Sequence, residues 1–161
     1  MRKPYGMRKG VILQRYKQFL WNIQMNIFQR LFPENPIPST VSFEEVKLAI
    51  TAQSSNTWII NTLPQNEQDV LISGTVPAHD EESLINTDLE NYDLATRSII
   101  IYGRNTCDIT AETKYRQLAQ LGAKRVALYR GGLFEWLLLQ DIYGFADFPT
   151  TKRVLDILRY K

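Results

Sequence analysis

The chain of 161 residues carries 19 Lys and Arg against 17 Asp and Glu, with one His, one Cys and 44% hydrophobic residues. That is one domain with a short extension, apolar enough to pack a core. A single Cys excludes an internal disulfide and a Cys-cluster zinc site, a lone His79 excludes a three-His metal centre, and no apolar run reaches membrane-spanning length.

The charge is unevenly placed. Residues 1–33 hold Arg2, Lys3, Arg8, Lys9, Arg15, Lys17 and Arg30 and no acid, so that head is +7 and the remainder −5. Between Lys47 and Arg97 there is no Lys or Arg, and eight acids occur. A basic head is drawn to anionic surfaces, or to the acidic body of its own chain. No secretory signal is expected, because the apolar stretch 19–28 is broken by Asn22, Gln24 and Asn26. A mitochondrial targeting role is disfavoured, because residues 1–38 contain neither Ser nor Thr.

Residues 10–32 read as one helix. At 100° per residue, Ile12, Tyr16, Phe19, Leu20, Ile23, Ile27 and Leu31 share one face. Trp21, Met25, Phe28 and Phe32 form a second apolar stripe on nearly the opposite face. Two stripes need two covering surfaces, so Trp21, Met25, Phe28 and Phe32 are candidate partner-binding residues. Residues 1–30 are a candidate contact for an anionic surface. Pro33, Pro36 and Pro38 end the helix, giving an arm over residues 1–38 and a domain over 39–161.

Ser42 followed by Glu45 is a capping box opening a helix over Phe43–Thr51. Trp58-Ile59-Ile60 reads as a buried strand, Pro64–Asp69 as a polar turn, and Val70–Val76 as strand-like. The acidic stretch Pro77–Asn91 reads as a loop with a helical turn. Ser98–Tyr102 is the strongest strand, β-branched and ended by Gly103. Thr110–Leu121 is a helix closed by Gly122, Arg125–Tyr129 a strand, Gly131-Gly132 a turn, and Leu133–Asp141 a helix. A last helix is expected from Pro149 to Leu158, with Leu155, Leu158 and Tyr160 capping the core. Alternating strands and helices predict an α/β fold with a mainly parallel sheet.

The order of these segments resembles the rhodanese-like domains over about residues 39–141. The likeness lies in Ser42–Ile50, in Ile59-Ile60-Asn61-Thr62, in Leu71-Ile72-Ser73-Gly74-Thr75-Val76, and in Ile99–Gly103 followed by Val126–Tyr129, Gly131-Gly132 and Trp136. The resemblance implies a loop that cradles anions with its N–H groups, here Gly103, Arg104, Asn105, Thr106, Cys107 and Asp108. It also implies a Cys at the end of the strand that carries sulfur as a persulfide. Here that position is Gly103, and the closing position, often Arg in the family, is Asp108. Asn61, Leu63 and Leu71 stand where the family usually has Asp, Arg and His.

No catalytic residue is therefore expected. The leading expectation is a catalytically inactive rhodanese-like protein, a structural or docking part of a larger assembly. The alternative is a sulfurtransferase or persulfide carrier working through Cys107 with Arg104, the N–H groups of Asn105–Thr110 holding the anion. The segments Gly131–Gly144, Phe148–Thr151 and Leu155–Lys161 further resemble small rhodanese-like proteins of large double-stranded DNA viruses and some protists, which implies a component of a virion or of another large assembly. No cofactor or metal is expected, and a single free Cys fits a reducing, intracellular setting. His79 beside Asp80 is read as a solvated surface residue rather than a general base.

Overall fold

The computed structural model describes residues 37–161. The predicted helix 10–32 and the stripe Trp21, Met25, Phe28 and Phe32 lie outside the described residues.

Four parallel strands form one sheet in the order β1-β4-β3-β2. They are β1 (Ser39–Val41), β2 (Thr57–Asn61), β3 (Ser98–Tyr102) and β4 (Arg125–Tyr129). The register sets Ile99 beside Trp58 and Val126, and Tyr102 beside Asn61 and Tyr129. Side chains on a strand alternate between faces, and both faces are buried here. Ile59, Ile100, Tyr102 and Tyr129 enter one core with Val46, Leu133, Trp136, Leu137 and Phe148. Trp58, Ile60, Ile99, Ile101, Val126 and Leu128 enter the other with Ile85, Ala111, Tyr115 and Leu118. Continuous runs such as Ile99-Ile100-Ile101 are what a doubly covered parallel strand requires.

Helices α1 (Phe43–Ala52) and α4 (Gly132–Tyr143) cover the first face; α2 (Ala78–Glu90) and α3 (Thr110–Gln120) cover the second. The predicted single α/β domain with a parallel sheet is thus present. The capping box forms: the Ser42 N–H donates to Glu45 Oε2 at 2.7 Å, and the Ser42 side chain accepts the Glu45 N–H. Gly122 stands at φ +99° just after α3. On α4, Leu133, Trp136 and Leu137 are buried, and Trp136 sets its ring edge against Phe148 at 5.0 Å.

Three sequence readings are corrected. Pro77–Asn91 is a 13-residue helix over Ala78–Glu90, not a loop. Its polar composition hid a narrow buried face of Ile85 and Asp88, and Pro77 precedes its first turn, where a missing N–H costs nothing. Val70–Val76 is not a strand. Gly74 at φ +81° turns the chain, leaving single bridges from Ile72 to Thr150 and from Ile59 to Thr75. The C-terminal segment is irregular, ending in one 3₁₀ turn over Ile157–Tyr160. Tyr160 is fully buried as expected, but Leu155 and Leu158 face solvent; Val154 and Ile157 pack on the core instead.

A partly buried ion pair was not anticipated. Arg97 holds both oxygens of Asp88, Nε to Oδ2 and Nη2 to Oδ1, each at 2.7 Å. Its Nη1 donates to the Ser55 carbonyl, and the guanidinium lies over the Trp58 ring at 4.4 Å.

Candidate functional site

The loop Gly103–Asp108 leaves the C-terminal end of β3, an interior strand, and feeds α3. In open parallel sheets this end is where ligands bind.

Tyr102 anchors the loop from below. Its buried hydroxyl accepts the Ile72 N–H at 3.2 Å and bonds Thr75 Oγ1 at 2.9 Å, and burial pushes its pKa well above the ordinary phenol value. From above, the loop is tied to α4. The Leu133 N–H donates to the Gly103 carbonyl at 3.0 Å, and the Phe134 N–H to the Arg104 carbonyl at 2.9 Å. Such close approach requires Gly132, whose φ is +64°. A Cβ there would fall 2.7 Å from the Gly103 oxygen and 2.8 Å from the Asn105 nitrogen.

Within the loop, the donors are turned on the loop's own acceptors. Asn105 Oδ1 accepts the Cys107 N–H at 2.9 Å, and the Asn105 carbonyl accepts the Asp108 N–H at 3.2 Å. The Asn105 amide also reaches the Tyr160 carbonyl at 3.2 Å. Asp108 bridges both ends. Its Oδ2 accepts the Arg104 N–H at 2.9 Å. Its Oδ1 accepts the Thr110 N–H at 2.9 Å and the Thr110 hydroxyl at 2.6 Å. Burial opposes the charged carboxylate, but these bonds outweigh it and hold the Asp108 pKa below the ordinary carboxylate value.

Gly103 is buried at the foot of this arrangement, and the Asp108 carboxylate lies where a side chain on Gly103 would project. The Arg104 guanidinium pairs with Glu67, which follows β2. Glu67 keeps its other oxygen buried and unpartnered. Cys107 is exposed; the polar side-chain atom beside its sulfur is Thr106 Oγ1, at 4.0 Å.

All six predicted loop residues are therefore contiguous at one sheet end, while Arg104 and Cys107 point to different partners. Glu67, Gly132 and Tyr160 complete the loop's setting and were not foreseen. Gly131-Gly132 was legible as a turn and as part of the family resemblance, but not as the point of contact with the loop. Beside the loop, Asn61, Thr62, Ile109, Thr110, Thr113, Lys114 and Gln117 line an open groove of about 300 Å³. Its Lys114 is paired with Glu81. His79 is exposed on α2, 3.5 Å from Asp80. Among the described residues no cluster of His, Cys, Asp or Glu could hold a metal ion, and no helix is long and apolar enough to cross a membrane.

No protein-family model and no curated protein matches this chain. Solved structures do. The Alr3790 protein from Anabaena sp. superposes with a TM-score of 0.51 at 20% identity, over 74% of this chain and 97% of its own. A single-domain sulfurtransferase from Saccharomyces cerevisiae, RDL2, gives 0.50 at 15% identity, over 71% of this chain and 98% of its own. A full-length protein from Lactobacillus plantarum gives 0.51 at 12% identity, over 82% and 98%.

Proposed function

With the fold of single-domain sulfurtransferases in hand, we propose that this chain is a rhodanese-like domain without sulfur-transfer activity of its own. In this reading it serves as a structural or docking component of a larger assembly, a virion or another multi-subunit complex. The carrying observation is at the end of β3. The residue there is Gly103, and the volume its side chain would use holds the Asp108 carboxylate. Three of the loop's N–H groups, those of Arg104, Cys107 and Asp108, already have internal acceptors, as does that of Thr110 at the start of α3. A carboxylate at a helix N-terminus stabilises the helix and repels an incoming anion. The docking contact is assigned to residues 1–38 through Trp21, Met25, Phe28 and Phe32, with the basic residues of 1–30 adding attraction to an acidic face.

The test is intact mass after incubation with thiosulfate or a persulfide donor, run beside Cys107→Ser. No stable gain of sulfur is expected, under conditions that load an active rhodanese. A gain lost in the variant would install the second reading, a persulfide carrier on Cys107, which the exposure of that thiol favours. The docking assignment fails separately if side-chain footprinting of the isolated, monomeric full chain finds both Trp21 and Phe28 protected.

A further inference from the structure

Gly103 and Gly132 are both crowded, but by different things. A Cβ on Gly132 would strike backbone: the Gly103 oxygen, the Arg104 carbonyl carbon and the Asn105 nitrogen, at 2.7–2.8 Å. A Cβ on Gly103 would meet Asp108 Oδ2 at 2.6 Å, Cγ at 2.9 Å and Cβ at 3.2 Å. Those three nearest atoms all belong to one side chain. Gly103 does not occupy the left-handed region, since only Gly74, Gly122, Gly132 and Gly144 have positive φ among the described glycines. Its φ therefore imposes no requirement for glycine.

We propose that Asp108 is an internal blocking group: its carboxylate fills the side-chain volume of position 103, so the two positions are coupled and only one of them can carry a side chain into the loop. The inference rests on the reading of the loop as non-catalytic and says what keeps it so. The block is held in place from three directions. The Arg104 N–H fixes Oδ2, the oxygen nearest the Gly103 Cβ position, while the N–H and hydroxyl of Thr110 fix Oδ1. Rotating the carboxylate aside therefore breaks hydrogen bonds at both ends of the loop. The Arg104 guanidinium is paired with Glu67, so among the described residues the hydrogen bonds to Asp108 come from the Arg104 N–H and from Thr110. A thiol placed at 103 with Asp108 intact would be pressed against a carboxylate, which opposes thiolate formation. With Asp108 truncated, the same thiol gains room, and the Arg104 and Thr110 N–H groups lose their acceptor and face it.

The experiment is a double-mutant cycle in the full chain carrying Cys107→Ser, with Gly103→Cys, Asp108→Ala and the pair. Melting temperature and the rate of thiol labelling by a disulfide reagent are both read. Gly103→Cys alone should lower the melting temperature by several degrees and label slowly. Asp108→Ala gives up three hydrogen bonds in either background, so added to Gly103→Cys it should cost clearly less melting temperature than it costs added to Gly103, and it should raise the labelling rate at least tenfold. Gly132→Ala, obstructed by backbone, should not be rescued by Asp108→Ala. Additive melting shifts, or equal labelling rates with and without Asp108, overturn the proposal. So does failure of both Gly103→Cys proteins to fold, because the obstruction is then not Asp108; folding of the pair alone supports it. Sulfur loading of the wild-type chain on Cys107 would refute the non-catalytic reading without touching this cycle, whose variants lack that thiol.

Discussion

Replacing Gly132 with Ala strikes the junction that holds the loop to α4. Two costs add. A non-glycine residue in the left-handed region loses about 1–2 kcal/mol, and Gly132 sits at φ +64°. The new methyl also lands 2.7 Å from the Gly103 oxygen and 2.8 Å from the Asn105 nitrogen, so loop and helix must part. That loosens two hydrogen bonds, Leu133 to Gly103 and Phe134 to Arg104, at roughly 1 kcal/mol each. The sum is about 3–4 kcal/mol, a large part of the ~5–15 kcal/mol that holds a domain folded. At this size it lowers the melting temperature by roughly 6–16 °C. Urea unfolding measures it, with Gly122→Ala as the control. Gly122 has φ +99° but nothing within 4 Å of its Cβ position, so that variant bears only the conformational cost, about 1–3 kcal/mol. Hydrogen exchange should show the Leu133 and Phe134 amides losing protection in Gly132→Ala alone. If the two variants unfold alike and those amides stay protected, the close approach does not tie the loop down.

Other outcomes follow from the same packing. Asp88→Ala leaves the partly buried Arg97 without its carboxylate and should cost about 1.5–3 kcal/mol in chemical unfolding; a loss below ~1 kcal/mol would make the pair a surface ornament. Trp136→Ala removes the ring that contacts Tyr129 and Phe148 and should cost about 3–5 kcal/mol, seen as an early thermal transition. Because the folded Asp108 pKa lies below its unfolded value, its carboxylate stabilises the domain above the unfolded pKa, and that share disappears as pH falls through the folded one. The stability gap between wild type and Asp108→Asn should therefore be widest near neutral pH and close in acid; a gap that grows on acidification contradicts the hydrogen-bond assignment.

The elements that were legible are those in which local and tertiary demands coincide. Ser98–Tyr102 is β-branched, buried on both faces and ended by a glycine, so propensity and position agree. The Ser42–Glu45 box and Gly122 mark helix ends by backbone chemistry, which needs no partner to be read. The α2 helix was not legible because its buried face is narrow and includes a carboxylate, Asp88, whose partner Arg97 lies beyond the helix. Val70–Val76 has strand composition, yet its backbone donors and acceptors are met singly, by the Tyr102 hydroxyl, by Thr75 and by the Pro149–Thr151 segment, rather than by a ladder. At the candidate site the loop sequence was readable, but its meaning lay in distances. That Asp108 folds back over Gly103 and that Glu67 takes Arg104 depend on contacts across four and 37 residues, which no periodicity encodes.

The two margins of the sheet bear on how any protein could attach to the described domain. On one side β1 offers three residues only. On the other, the outer edge of β2 is already engaged: Ile59 is bridged to Thr75, and its carbonyl accepts the Val76 N–H at 2.8 Å. Recognition by adding a strand needs a row of free main-chain donors and acceptors, and neither margin supplies a long one. An extended peptide would find little to zip onto, so a companion must read this domain through side-chain shape and charge, and its specificity would be set by individual surface residues rather than by a shared backbone pattern.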